Sequence, residues 1–147
     1  GMDLFDMMPA GYSEEYAQTL LSTLGTEGRN SYLYIQLPVD MIYPFLFGLT
    51  YSLLLAYFLF NLKWIEKPVF YSTLLPLVAG MFDYLENAGI VIMLNQYPEI
   101  TSIAARFANA CTVIKSALST ISFSLLLILI VIFFIQKIKS RKPEMGI

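Results

Sequence analysis

The chain has 147 residues, of which 57% are hydrophobic, 15% aromatic and only 14% charged, with a net charge of -2. Soluble domains run about 45–50% apolar and about 25% charged, so this composition excludes an ordinary soluble domain, a disordered chain and a nucleic-acid-binding surface. There is no histidine, the commonest general base and metal ligand, and the single cysteine, Cys111, allows no internal disulfide. What remains is one all-α integral membrane domain, multi-pass, in a cell membrane.

In chain order, the acidic start (Asp3, Asp6) does not read as a secretory leader. Residues 12–24 read as an amphipathic helix, with Ser13 as N-cap, Glu14 and Glu15 in the first turn, Tyr16, Leu20, Leu21 and Leu24 as the apolar face and Gly25 as C-cap. A second helix is expected over 28–62, with Thr26 as its cap, kinks at Pro38 and Pro44, and a charge-free span over 41–62. After the polar turn Lys63 to Pro68, a second span covers 69–96, interrupted by Asp83 and Glu86. The turn Asn95 to Glu99 follows, with Pro98 suited to the first position of a third helix over 99–138. That helix is about 60 Å long at 1.5 Å per residue, twice the hydrocarbon thickness. The pieces that project beyond the membrane are expected to gather with the 12–24 helix into a small bundle at the outer surface.

Three spans place Lys63 and Lys67 on the same side as Lys137, Lys139, Arg141 and Lys142, while the turn near Tyr97 has no basic residue. By the excess of Lys and Arg in cytoplasmic loops, the N-terminus is expected outside and the C-terminus in the cytoplasm.

The polar residues inside the apolar segments are the candidate site. Asp83, Glu86 and Asn87 share one helix face and are costly in a membrane unless paired or hydrated. A stripe on the third helix, Ala104, Ala108, Cys111, Thr112, Lys115, Ser119 and Ser122, permits close approach and offers hydroxyls. Asp83 lies 14 residues before Tyr97 and Thr112 lies 14 after Pro98, so an Asp83–Lys115 pair beside Thr112 and Asn87 is expected, with Glu86 left without a cation at its own level. The first span adds Asp40, Tyr43, Phe47 and Tyr51, and Arg29 or Arg106 is the expected neutraliser of Asp40 at the outer rim. Together these describe an aromatic-walled polar pocket, open outward, with an acidic floor. Each feature also has a plainer reading: a polar clasp that fixes helix register, aromatic packing, headgroup-facing arginines and a packing cysteine.

The segments Leu24-Gly25-x-Glu27-Gly28-Arg29-x-x-Tyr32, Asp40-x-x-Tyr43-Pro44, Asp83-x-x-Glu86-Asn87 and Thr112-x-x-Lys115 resemble those of small uncharacterised bacterial integral membrane proteins. The resemblance covers most of the chain and implies no activity. Gly-x-Ser-x-Gly, Cys-x-x-Cys and P-loop patterns are absent from the sequence.

Four functions compete. The favoured one is binding of a small amphipathic, cationic or lipid ligand in the pocket, by Asp40, Tyr43, Tyr51, Asp83, Glu86, Asn87, Thr112 and Lys115. A second is an enzyme acting on a lipid or isoprenoid, with Asp83 or Glu86 as acid or base, or with carboxylates, Asp40 and Asn87 holding Mg²⁺ or Ca²⁺. A third is a proton- or cation-coupled transporter that requires a homo-oligomer, and a fourth is an accessory subunit of a membrane complex. The sequence assigns no catalytic residue, metal or cofactor. Its expected partners are membrane lipids.

Overall fold

A computed structural model describes residues 2–140. Every regular element among them is helical, and three helices are long and apolar enough to cross a membrane: α2 (Gly25–Asn61), α3 (Pro68–Gln96) and α4 (Ser102–Ser140). They follow a 3₁₀ turn at Phe5–Met7 and a short helix, α1 (Glu14–Thr23). This is the architecture of a multi-pass membrane protein.

Local chemistry sets the boundaries. Ser13 caps α1, its hydroxyl oxygen accepting the Tyr16 N–H at 3.0 Å, with Glu14 and Glu15 near the positive end of the helix dipole. Leu24 is the C-cap residue of α1, and Gly25, one position later, has φ +62°. That left-handed conformation turns the chain directly into α2, so no cap forms at Thr26. Helix α2 is irregular in two places, each just ahead of a proline. A π-helical stretch, Tyr32–Gln36, precedes Pro38, and the helix breaks at Met41 ahead of Pro44. Proline lacks an N–H and its ring crowds the carbonyl four residues back, so the preceding turn must widen or open.

Helix α3 runs through Asp83 and Glu86 without a break, but it is not α-helical throughout the expected span 69–96. Pro68–Leu74 is 3₁₀, and the α-helix proper begins at Leu75 with Pro76 in its first turn. The Ser52 hydroxyl donates to the Thr73 carbonyl at 2.6 Å and ties this entrance turn to α2. Pro98 does not open α4. It lies in the turn after α3, following a cis Tyr97–Pro98 bond, and α4 begins at Ser102, where the Thr101 hydroxyl oxygen accepts the Ala104 N–H at 3.4 Å.

Helix α3 is central. Half of its most apolar window is buried, against 22% for α2 and 17% for α4. Small residues let its neighbours approach: a Cβ on Gly80 would meet the Pro44 carbonyl oxygen at 2.8 Å, and one on Gly89 would meet the Ala108 Cβ at 2.7 Å. Two apolar clusters form. One joins Leu55 and Leu59 of α2 to Leu126 and Leu129 of α4. The other, at the opposite end, joins four helices and the N-terminal segment through Phe5, Tyr12, Leu20, Leu21, Tyr32, Ile90, Met93 and Ala105. The outer faces of α2 and α4 carry exposed Phe45, Leu53, Phe60, Ile128, Val131 and Phe134, apolar surface of the kind that faces lipid.

Candidate functional site

Asp83, Glu86 and Asn87 of α3 come together with Thr112 and Lys115 of α4 and with Asp40 of α2. Ridge contact at Gly80 and Gly89 brings α3 against α2 and α4, and the side chains between them meet. Lys115 Nζ lies 2.7 Å from Asp83 Oδ1 and also pairs with Glu86 Oε2. The Thr112 hydroxyl donates to Glu86 Oε1 at 2.7 Å. Asn87 Nδ2 donates to Asp40 Oδ2 at 2.8 Å, bridging α3 to α2. Glu86, Asn87 and Thr112 are each fully buried.

The expected Asp83–Lys115 pair is therefore present, and Glu86 is a correction: it does have a cation, because the four-carbon stem of Lys115 lets one ammonium serve both carboxylates. The arginines are a second correction. Arg29 does not neutralise Asp40. Its guanidinium lies over the Tyr97 ring, 3.9 Å from the centroid, and donates to the Leu21 carbonyl at 2.8 Å. Arg106 is exposed on α4, and neither arginine forms an ion pair among the described residues. Cys111 is a free, buried thiol on the packed face of α4.

Tyr43, Phe47 and Tyr51 form a ladder along α2, with ring centroids 5.8 Å and 4.5 Å apart, and Tyr51 reaches Phe123 of α4 at 6.5 Å. Tyr43 is 57% exposed and immediately precedes Pro44, whose carbonyl oxygen packs against Gly80, about one turn before Asp83 on α3. The side chains of Lys115 and Asp83 retain 14% and 8% exposure. The cluster thus has a partly open edge beside the aromatic ladder and a sealed face at Glu86.

Two groups from the N-terminal segment complete the sealed face, and nothing in the sequence pattern linked them to it. The Tyr12 N–H donates to Asn109 Oδ1 at 2.7 Å, which seats the segment on α4. The Tyr12 ring is buried and its hydroxyl lies towards Thr112 and Glu86 without closing a hydrogen bond of good geometry. Burial, reinforced by the Glu86 charge, pushes that hydroxyl above the ordinary tyrosine range. Asp6 accepts from the Tyr32 hydroxyl at 3.2 Å. A crevice too narrow for a water molecule runs between Asp6, Tyr32, Gln36, Leu37, Asp40 and Asn87. Among the described residues, no three Cys, Asp or Glu side chains gather as a metal site.

Chemically, three carboxyl groups (Asp40, Asp83, Glu86) face one ammonium inside the spans. Surplus buried negative charge is costly in a low dielectric and draws in a proton or a cation. Comparisons of the chain with protein-family models, with curated proteins and with solved structures give no match.

Proposed function

We propose that this is a small cell-membrane protein that binds an amphipathic ligand with a cationic head, entering sideways between α2 and α4. The observation that carries this reading is the partly exposed Lys115–Asp83 edge beside the Tyr43–Phe47–Tyr51 ladder. An ammonium head would share Asp83 and Glu86 with Lys115 or displace it. Its apolar tail would lie along the aromatic rings, which add cation–π attraction at their upper end. The lipid headgroup and the free amine share this chemistry.

The orientation belongs to the same proposal. Lys63, Lys67, Lys137 and Lys139 follow or precede the ends of spans on one side, which is cytoplasmic by the bias of basic residues. The N-terminal segment and α1 then lie outside, with α1 acting as an amphipathic helix whose Ala17, Leu20 and Leu21 face the bundle.

A second reading has its own support. One ammonium held by two buried carboxylates, with Thr112 bonded to Glu86, is also the form of a clasp that fixes helix register. Mild extraction of the protein from membranes, followed by mass spectrometry of what co-purifies, separates the two. The ligand reading expects an amine or cationic lipid in wild type that is lost in Glu86→Gln. The clasp reading expects no specific co-purifying cation.

A further inference from the structure

The crevice beside the cluster has a chemistry that the ligand reading does not use. Its walls carry oxygen donors from three elements: the Asp6 carboxylate of the N-terminal 3₁₀ turn, Tyr32, Gln36 and Asp40 of α2, and Asn87 of α3. The two carboxylates have neutral partners, Tyr32 on Asp6 and Asn87 on Asp40, and no ion pair involves either one among the described residues. Asn87 is fully buried, and while its Nδ2 is bonded, its Oδ1 has no donor. A buried carbonyl oxygen without a partner is costly, and it lies on a residue lining the crevice. Tyr32 and Gln36 are the two ends of the π-helical stretch, a distortion found often at functional sites.

We propose that this crevice is a calcium site that fastens the N-terminal segment to the membrane helices. Two carboxylates balance one divalent charge, and the amide oxygens of Asn87 and Gln36 with the Tyr32 hydroxyl supply the neutral oxygens that calcium accepts in flexible geometry. The crevice has no space for water, which selects against magnesium, an ion that keeps several of its waters. With only two carboxylates the site belongs with weak extracellular modules, at about 10⁻⁴–10⁻³ M. Because Asp6 comes from the segment that also carries Tyr12, the ion would hold Tyr12 over Glu86 and keep the sealed face of the cluster shut.

The test uses the full chain in an uncharged maltoside detergent, without any organic cation, so its failure leaves the amine reading standing. Calcium chloride, magnesium chloride and sodium chloride are titrated at matched ionic strength, reading the thermal midpoint and hydrogen exchange in residues 2–12. The expected result is a saturable rise in midpoint and slower exchange with calcium alone, both lost in Asp6→Asn and in Asp40→Asn. Asp6 lies outside the spans, so Asp6→Asn gives a readout even where Asp40→Asn does not fold. No calcium-specific change in wild type, an equal response to magnesium, or a response retained in either variant overturns the proposal.

Discussion

Lys115 on α4 and Asp83 on α3, 32 positions apart in the chain, meet at 2.7 Å, and the same ammonium reaches Glu86. One cation therefore carries the charge balance of two helices. Removing it strands two carboxylates, Glu86 fully buried and Asp83 nearly so, without a counter-ion, whereas removing the whole group leaves only polar surface to repack. Those two outcomes differ sharply in cost.

Lys115→Met is expected to destabilise the protein by about 3–5 kcal/mol, the range for breaking a buried ion pair from one side. The triple variant Asp83→Asn, Glu86→Gln, Lys115→Met should recover most of that loss. Reversible unfolding in detergent measures both. Added ethylamine should stabilise Lys115→Ala and leave the triple variant unchanged.

Helix approach depends on missing side chains. Gly80→Ala would drive a methyl into the Pro44 carbonyl and Gly89→Ala one into Ala108, each at about 1–3 kcal/mol for an overpacked contact. Gly25→Ala meets no atom within 4 Å, but its φ is +62°, so its cost is backbone strain of about 1–2 kcal/mol. A loss at Gly25 well above about 2 kcal/mol, or no loss at Gly80 and Gly89, would contradict this account of the packing.

The N-terminal segment is seated by Phe5 and Tyr12 in the core cluster and by the Tyr12 N–H bond to Asn109. Asn109→Ala removes the acceptor of the Tyr12 N–H. It is expected to raise protease sensitivity and hydrogen exchange across residues 2–12 while the three long helices keep their protection. Gly11→Ala should act in the same direction, because Gly11 has φ +88° and a Cβ there would strike the Asn109 side chain.

Tyr12 gives a pH signature. Its hydroxyl titrates higher in the folded protein than in the unfolded chain because burial disfavours the phenolate. Stability from this residue is therefore complete below about pH 10, the ordinary tyrosine value, and declines as pH rises from there towards the folded value. Tyr12→Phe removes that alkaline decline. It also removes a buried hydroxyl without a good partner, so at neutral pH it should leave stability unchanged or slightly higher. A marked loss at neutral pH would show that the hydroxyl is bonded.

Much of this was legible in the sequence because membrane constraints are severe. Charge-free runs near 20 residues mark the first and third spans, and the polar residues left within the spans must find one another. The spacing from the Tyr97 turn sets Asp83 level with Thr112, one turn short of Lys115, and relies on the Lys115 stem to reach back to Asp83. It leaves Glu86 without a cation because α4 begins only at Ser102, so that Thr112 meets Glu86 and Lys115 reaches both carboxylates. It failed for Arg29 because no periodicity says that a guanidinium will stack on Tyr97. Pro98 suited a helix start by propensity, but the turn ran on to Thr101. The roles of Asp6 and Tyr12 were not visible, because a segment without a long helix has no periodicity to place its side chains.

The most direct measurement is titration of dodecylamine into wild-type protein and Glu86→Gln in nanodiscs, with dodecyl sulfate as the anionic control, followed by thermal midpoint. The cationic-ligand account predicts saturable stabilisation of wild type by the amine alone and its loss in Glu86→Gln. Equal responses to amine and sulfate, or none to either, would contradict it.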